Sequence, residues 1–223
     1  MDQAEWDARY AASGLVWGGG PNRFVAAALT GVPPGRALDL GSGEGRHAIW
    51  LASLGWQVTA VDFSEVGVER GRRLATARGV QIDWVRADVL DYRPEAGAFD
   101  AVLIAYLHLL PDALAAVLAR AARAVATGGC ILVVGHDVSN LRDGVGGPQD
   151  PALLYTPETI TAGLPGLDVR RAERVRRPVQ TPDGVVDAID TLVYAVRPGP
   201  VAAVASGTRE AVSEPQARGS LSG

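Results

Sequence analysis

The chain has 223 residues, of which 48% are hydrophobic and 21% are charged, as in ordinary globular proteins. This length predicts one well-packed domain and excludes two domains of ordinary size. The formal net charge of −4 gives no electrostatic reason to bind a phosphate backbone or an anionic membrane. We therefore expect neither nucleic acid nor a membrane as a partner.

The cellular compartment is indicated by cysteine usage and by the first residues. The one cysteine, Cys130, lies in an apolar run, so no internal disulfide is possible and a reducing compartment is expected. The N-terminal residues are acidic where a secretory signal is basic, and no stretch approaches the roughly 18 apolar residues of a membrane span. The sequence therefore predicts a cytoplasmic protein.

Strand-like and helix-like segments alternate from residue 36 to residue 196, which predicts a parallel sheet with crossover helices. Residues 1–34 are predicted as an N-terminal helix and lid segment, 35–197 as the α/β domain and 198–223 as a flexible tail. Thr181-Pro182-Asp183-Gly184 is a turn signal that predicts an antiparallel hairpin between the last two strands. The predicted strands cover 36–40, 57–61, 81–86, 99–105, 129–135, 167–177 and 185–196, and the predicted helices cover 44–54, 65–77, 111–126 and a short segment after Thr156.

The most informative segment runs from residue 37 to residue 45 and reads as a buried strand, a glycine-rich turn and a helix start. Glycines allow the backbone to lie close against a ligand, and the helix that follows offers unpaired N–H groups. An acidic residue about 20 positions later usually binds a ribose hydroxyl, and Asp62 stands at that distance. The pattern predicts a site for the adenosine part of a cofactor.

Two residues in the glycine turn discriminate between adenosine cofactors. The dinucleotide fingerprint has a third glycine where this chain has Arg46. Asp39 precedes the first glycine by two positions, and a buried carboxylate there repels a pyrophosphate but attracts a cation. S-adenosylmethionine carries an ammonium and a sulfonium and has no phosphate, so it is favoured over a nicotinamide dinucleotide, which remains the alternative.

Three motifs at these positions resemble those of the Rossmann-like, class I S-adenosylmethionine-dependent methyltransferases. Residues 38–47 are similar to their motif I, Val61-Asp62-Phe63-Ser64 to their second motif and Ala87-Asp88-Val89 to their third. Within that superfamily the chain resembles the small bacterial tellurite-resistance and thiopurine methyltransferase group. That finer resemblance rests on Trp6, Tyr10, Trp17, Pro21 and Asn22.

The resemblance implies a three-layer α/β sandwich with a seven-stranded, mostly parallel sheet whose last strand is antiparallel. It also implies how S-adenosylmethionine is held: by Asp39 and Arg46 at the amino-acid end, by Asp62 at the ribose and by Asp88 at the adenine. Aromatic side chains near the N-terminus are implied as a lid, or alternatively as a staple that holds the first helix to the domain. The implied cofactor-binding residues are Tyr10, Trp17, Asp39, Gly41, Gly43, Gly45, Arg46, Asp62, Phe63, Asp88, Val89 and Ala105.

The methyl acceptor is expected outside the carboxyl ends of the strands. Methyl transfer is a direct displacement, and a hydroxyl acceptor also needs a group that takes its proton. His136 is predicted as that base and Asp137 as its orienting carboxylate, although both side chains could instead only order the loop. The residues expected to bind the acceptor are Tyr106, His108 and Arg142, the last by pairing with a carboxylate.

The sequence offers weaker signals for a metal site and for a nucleic-acid surface. His136, Asp137 and Asp143 offer donors for a divalent cation, but nothing fixes their geometry, so no metal is predicted. The arginine-rich run 170–177 falls on a predicted strand with arginines on both sides of the pleat, which favours a solvated edge strand over a nucleic-acid surface. The segment Ala105-Tyr106-Leu107-His108 also lacks the Asn/Asp-Pro-Pro-Tyr/Phe motif of many nucleic-acid methyltransferases.

The sequence thus predicts a methyltransferase that acts on a small polar molecule, at a hydroxyl or carboxylate oxygen of, for example, a sugar or a small acid. The alternatives are detoxifying transfer to sulfur, selenium or an inorganic oxyanion, and a non-catalytic module that only binds S-adenosylmethionine. The sequence does not identify the acceptor, and it does not fix the oligomeric state, for which a homodimer is one option.

Overall fold

The structure, a computed structural model, describes residues 2–12, 14–16, 18–182 and 184–199. Seven strands in these residues form one sheet in the order β3-β2-β1-β4-β5-β7-β6. The strands are β1 (Arg36–Leu40), β2 (Gln57–Asp62), β3 (Asp83–Arg86), β4 (Phe99–Ala105), β5 (Val125–His136), β6 (Asp168–Thr181) and β7 (Gly184–Val196).

The sheet has the predicted topology. Strands β1 to β5 pair in parallel, whereas β7 is antiparallel to both β5 and β6. The order of the strands reverses between β1 and β4, and in open α/β sheets ligands bind at such a switch point, outside the carboxyl ends of the strands. The prediction of a Rossmann-like methyltransferase fold is confirmed.

Helices cover both faces of the sheet, so two hydrophobic clusters form. One face packs against α2, α3 and α4 through Val25, Ile49 and Val68, among others. The other packs against α5 and α7 through side chains such as Leu118 and Ile160. The helices are α1 (Gln3–Ala12), α2 (Arg23–Leu29), α3 (Arg46–Ser53), α4 (Glu65–Ala77), α5 (Pro111–Ala124), α6 (Asn140–Asp143) and α7 (Pro157–Ala162).

The boundaries differ from the predictions mainly where backbone pairing extends a strand. Strand β5 starts at Val125 and ends at His136, so it includes the histidine that the sequence placed in a loop. The last two strands form the predicted hairpin, and their ladder continues to the pair Thr181–Gly184. Cys130 is buried on the face of the sheet that packs against α3 and α4, as expected of a core side chain.

Helix α1 is held against α4 by polar contacts. The Asp7 carboxylate accepts hydrogen bonds from Ser64 Oγ at 2.5 Å and from the Val66 amide at 3.2 Å. The Arg70 guanidinium donates to the carbonyl oxygens of Tyr10 and Gly14. These contacts place the N-terminal helix beside the glycine turn.

The division into a lid segment (1–34), a domain (35–197) and a tail (198–223) remains a prediction. Most of the tail, from residue 200 onward, lies outside the described residues, so the structure does not test its flexibility. In the part of the chain that the structure describes, no helix is both long enough and apolar enough to cross a membrane.

Candidate functional site

The turn after β1 has a backbone conformation that requires glycine. Gly41, Gly43 and Gly45 all have positive φ angles, of 73°, 56° and 75°. A Cβ atom on Gly43 would also lie 2.5 Å from the Tyr10 hydroxyl. The three glycines therefore allow other atoms to approach the backbone closely at the carboxyl end of β1.

Asp39 is a buried carboxylate at this turn. Its side chain is 1% exposed, and neither oxygen has a hydrogen bond of ordinary geometry among the described residues. Burial raises the pKa of Asp39 to about 7, while the nearby charge of Arg46 and the Ala48 amide act in the opposite direction. A buried acceptor without a donor is costly, and a ligand cation would remove that cost.

Asp62 ties the end of β2 to the glycine turn. One of its carboxylate oxygens accepts from the Gly43 amide at 2.7 Å and the other from the Ser64 amide at 2.9 Å. Burial raises the pKa of Asp62 above its usual value, although these two hydrogen bonds oppose the shift. The carboxylate is thus fixed at the edge of the turn, where its predicted ribose contact would be made.

The other predicted cofactor residues lie at neighbouring strand ends. Phe63 follows β2 and is partly buried, and Asp88 follows β3 and accepts from the Leu90 amide at 2.8 Å. Val89 is buried in the core, and Ala105 ends β4. Their roles toward a cofactor remain predictions.

The N-terminal segment covers the turn through Tyr10 and Glu44. Tyr10 is 4% exposed and stacks on Trp6, with 5.5 Å between the ring centroids. The Glu44 carboxylate accepts from the Val16 amide at 2.9 Å and lies 3.3 Å from Arg70 Nε. These contacts suit a lid and a staple equally. Trp17, which was also predicted at the cofactor, lies outside the described residues.

A polar cluster stands at the ends of β4 and β5, on the other side of the switch point. At its centre is Tyr106, which has a φ of 58° and is the one non-glycine residue with a positive φ in the described part of the chain. The Tyr106 hydroxyl donates to Asp190 Oδ2 at 2.7 Å and accepts from Asn22 Nδ2 at 2.9 Å. Burial raises the pKa of Tyr106 far above its usual range, so this hydroxyl stays protonated.

Two guanidinium groups flank the Tyr106 ring. Arg46 lies 5.9 Å from the ring centroid, on the side of the glycine turn, and Arg177 lies 5.3 Å from it, on the side of β6. Arg177 Nε also donates to Asp190 Oδ2 at 2.7 Å. The Tyr106 ring is thus in contact range of one residue from the glycine turn and one from β6.

His136 ends β5 and faces Asp190 across the β5–β7 pairing. Its Nδ1 is buried and lies 3.4 Å from Asp190 Oδ1. Burial lowers the pKa of His136; Asp190 opposes that shift and Arg177 adds to it. The imidazole is therefore neutral near pH 7, as a proton acceptor must be.

His108 stacks on His136, with ring centroids 5.5 Å apart. Its Nδ1 lies 2.7 Å from the Leu153 carbonyl oxygen, a contact that only the N–H form can make. Burial lowers the pKa of His108 to about 4. His108 thus adds a neutral aromatic wall to the predicted acceptor side.

Asp137, which was predicted to orient His136, has other hydrogen-bond partners. Asp137 is fully buried, and its carboxylate accepts from Ser139, Thr191 and Arg174. Burial raises the pKa of Asp137, but these hydrogen bonds outweigh it and leave the pKa below its usual value. The predicted pairing of Asp137 with His136 is not observed, because Asp137 orders the loop after β5 and Asp190 faces the histidine instead.

Arg142 lies at the surface and pairs with its neighbour Asp143 at 2.7 Å, with 83% of its side chain exposed. Its contact with an acceptor remains a prediction. Among the described residues, no three side chains of the histidine, cysteine, aspartate and glutamate types are grouped so that they could hold a metal ion.

Sequence reasoning missed Asp190, Arg177 and Asn22 as parts of this cluster. A signal for Asp190 was present, because a carboxylate inside the apolar strand run 188–193 must be buried and therefore needs partners. Arg177 was one of several arginines on β6, and only the register of the hairpin distinguishes it.

The residues of the glycine turn fit S-adenosylmethionine. The Asp39 carboxylate makes no hydrogen bond of ordinary geometry among the described residues and suits an ammonium group. The positive φ angles of the three glycines set the course of the turn, and Leu107, Tyr10 and Trp84 approach them closely. A pyrophosphate beside the Asp39 carboxylate would be repelled.

Comparison with known proteins agrees with this geometry. Residues 37–129 match a family model described as a methyltransferase domain. A demethylmenaquinone methyltransferase of Thermus thermophilus is 40% identical over 86 residues, 38% of this chain and 39% of the relative. A ubiquinone biosynthesis O-methyltransferase of Xanthomonas campestris pv. campestris is 38% identical over 100 residues, 44% of this chain and 41% of the relative. The match thus spans about two fifths of each of these relatives.

Solved structures share the fold over most of the chain. A protein whose structure is described as showing the conversion of a disulfide bond into a thioacetal group during echinomycin biosynthesis superposes with a TM-score of 0.69 at 23% identity, over 91% of this chain and 95% of its own. TehB from Haemophilus influenzae superposes with a TM-score of 0.67 at 15% identity, over 87% and 66%. Fold and family match together confirm the resemblance to class I S-adenosylmethionine-dependent methyltransferases.

Proposed function

We propose that the protein is an S-adenosylmethionine-dependent methyltransferase that acts on an oxygen atom of a small polar molecule. The observation that carries this proposal is the buried Asp39 carboxylate, which makes no hydrogen bond of ordinary geometry among the described residues and lies at the same edge of the sheet as the neutral His136. The Asp39 carboxylate suits a cationic cofactor, and the neutral His136 imidazole suits an acceptor that must lose a proton.

The chain's residues would divide the work as follows. Asp39, the three glycines and Asp62 would hold the cofactor, and Arg46 would face its carboxylate. When bound, the cofactor supplies an electrophilic methyl group on sulfur. Tyr106 stays protonated and keeps the two halves of the site aligned, since most of the rate gain in a displacement comes from alignment.

His136 would accept the proton of a hydroxyl acceptor. Its lowered pKa keeps the imidazole unprotonated at neutral pH. The O-methyltransferase names of several relatives support oxygen as the acceptor atom.

Binding and transfer are tested separately. Calorimetric titration with S-adenosylmethionine and with NAD should show binding of the former alone. Labelled S-adenosylmethionine should then transfer methyl to members of a panel of sugars, acids and phenols. Binding of NAD alone would contradict the proposal, and cofactor binding without transfer to any member would favour a non-catalytic module.

The role of His136 is tested by substitution. His136→Gln should lower kcat by about 10²–10⁴-fold, with cofactor affinity unchanged, because a general base contributes to the chemical step only. Asp187→Asn, an acid-to-amide change on β7 whose carboxylate pairs with Arg176 at 3.5 Å, serves as control and should retain activity.

A second candidate is transfer to sulfur, selenium or an inorganic oxyanion. The two guanidinium groups beside Tyr106 favour an acceptor that carries negative charge. Such an acceptor needs no base, so His136→Gln would leave its methylation unchanged. That result, together with transfer to thiols or oxyanions in the panel, would replace the oxygen proposal.

A further inference from the structure

Asp190 is a fully buried carboxylate whose two oxygens have different partners. Oδ2 accepts from the Tyr106 hydroxyl and from Arg177 Nε, both at 2.7 Å. Oδ1 faces His136 Nδ1 at 3.4 Å and has a long contact of 3.5 Å with Arg177 Nη2. One oxygen is therefore saturated, and the other is turned toward the histidine.

This arrangement selects one form of the neutral imidazole. A carboxylate only accepts hydrogen bonds, so its partner on His136 must be an Nδ1–H donor. The proton on Nδ1 leaves the lone pair on Nε2, which has no hydrogen bond among the described residues. At 3.4 Å, Nδ1 faces Asp190 Oδ1 without a hydrogen bond of ordinary geometry, and such contacts are often long before a catalytic site is filled.

We propose that Asp190 is the positioning residue of His136: it holds the imidazole as the Nδ1–H tautomer, so that Nε2 takes the proton of the methyl acceptor, and Tyr106 and Arg177 hold Asp190 in place. This inference rests on the function proposed above. In the step, the acceptor O–H bond breaks, the proton binds Nε2, and the electron pair stays on the acceptor oxygen. The resulting imidazolium is paired with the Asp190 carboxylate and later releases the proton to water.

Among the groups that face His136, Asp190 is the one that stabilises the protonated imidazole. Strand β6 contributes the Arg177 cation, which opposes protonation, and the loop after β4 contributes the neutral Tyr106 and His108. On a further side, the His136 ring packs against Gly147, where a Cβ would lie 2.7 Å from it. Removing the Asp190 charge should therefore change the proton position on His136 more than any other single substitution nearby.

The test is imidazole nitrogen NMR on the full chain without substrate. The chain has three histidines, so His136→Gln assigns the resonance directly. At pH 7.5 the wild-type His136 should show the Nδ1–H tautomer. Asp190→Asn should shift it toward the Nε2–H tautomer and lower its pKa, because an amide can donate to Nδ1 and carries no charge. The control Asp187→Asn should leave tautomer and pKa unchanged.

Tyr106→Phe provides a second variant in case Asp190→Asn fails to fold. The Asp190 carboxylate then loses a donor and should attract the imidazole proton more strongly, so the His136 pKa should rise, opposite to the effect of Asp190→Asn. A merely structural role of Asp190 would not give shifts of opposite sign.

A wild-type His136 in the Nε2–H form overturns the inference, as does an unchanged His136 pKa in both variants. Where methyl transfer is detected, Asp190→Asn should also lower kcat by about 10²–10⁴-fold with cofactor affinity retained. Because the NMR needs neither cofactor nor acceptor, failure of this inference is separate from failure of the proposed function, which calorimetry and the transfer assay report.

Discussion

Asp39 shows how a single buried residue ties cofactor binding to stability. Its carboxyl group has no donor among the described residues, so the ligand-free protein holds it at a cost. Burial raises its folded-state pKa to about 7, well above the value of about 3.9 for an unfolded chain. The stability from the neutral carboxyl is therefore complete below pH 4 and is lost as the pH rises through about 7.

Asp39→Asn should accordingly stabilise the ligand-free protein at pH 8 and weaken cofactor binding at least tenfold. At pH 8 the free energy of unfolding of the variant should exceed that of the wild type by up to about 4 kcal/mol, which thermal unfolding detects as a higher Tm. At pH 5 the difference should be smaller. Asp83→Asn on the exposed edge strand β3 is the control. Equal affinity of variant and wild type would argue against a cationic ligand at Asp39.

The same residue predicts the pH dependence of binding. An ammonium group favours the ionised carboxylate, so S-adenosylmethionine should bind more tightly as the pH rises from 6 to 8. Below pH 7 binding should release a proton, which calorimetry in two buffers of different ionisation enthalpy measures. If Asp39→Asn releases as many protons as the wild type, another group is responsible.

Among the residues, the sequence identified those whose chemistry depends on local order along the chain. Asp39 and the three glycines could be placed at one turn because β1, the turn and the start of α3 are contiguous, and Asp62 ends the next strand along the chain. Asp190 could not be paired with His136, since that contact depends on the register of β5 against β7, which a local pattern does not reveal across a sequence separation of 54 positions. Asp137 follows the end of β5, where its carboxylate accepts hydrogen bonds from Ser139, Thr191 and Arg174, and the long-range partners among them could not be predicted from its position next to His136.

At the scale of elements, α3 and α4 are joined to β3 by the Trp84 ring. A Cβ atom on Gly45 or on Gly71 would overlap this ring, so packing requires glycine at both positions. Gly45 is also required by its positive φ of 75°, whereas Gly71 lies within α4 and is required by packing alone. Glycine in the middle of a helix costs about 1 kcal/mol relative to alanine. Here the close contact with Trp84 is what compensates for that cost.

Gly71→Ala should therefore destabilise the protein by about 1–3 kcal/mol, despite the better helix propensity of alanine. Denaturant unfolding measures the change. In a Trp84→Leu background the same substitution should be neutral or stabilising, because the clash is relieved. Thr76→Ala on the exposed face of α4 is the matched control and should be mildly stabilising.

Helix α1 packs against α4 partly through the Asp7 carboxylate, and this contact predicts a local response to substitution. Asp7→Ala removes the acceptor for Ser64 and Val66, so hydrogen exchange in residues 3–12 should become faster while the sheet is unaffected. Asp112→Ala, on the exposed start of α5, is the control. Unchanged exchange in α1 would show that Arg70 and Tyr10 alone hold it.

At the scale of the whole molecule, the arginine-rich strand β6 is neutralised by carboxylates. All five arginines of the run 170–177 have a carboxylate within 4.0 Å, supplied by the following residues: Asp168, Glu173, Asp137, Asp187 and Asp190. A basic sequence pattern is thereby converted into a surface without excess positive charge. This agrees with the prediction that β6 is a solvated edge strand.

The protein should therefore not bind nucleic acid at physiological salt. Fluorescence anisotropy with labelled duplex and single-stranded DNA and with RNA should give no Kd below about 100 μM. A double variant, Asp168→Asn with Glu173→Gln, frees Arg170 and Arg171 and should show weak, salt-sensitive binding. Tight binding by the wild type would contradict the assignment of β6.

The sequence by itself determined the order of strands and helices, the parallel sheet and the cofactor turn, because periodicity and glycine-rich turns are local properties of the chain. It also carried the resemblance to class I S-adenosylmethionine-dependent methyltransferases, since motif I, Asp62 and Asp88 stand at fixed intervals. Only the tertiary structure decided the acceptor side. There Asn22, Tyr106, His136, Arg177 and Asp190 come together from five separate segments, and strand register, which no local pattern encodes, sets their distances.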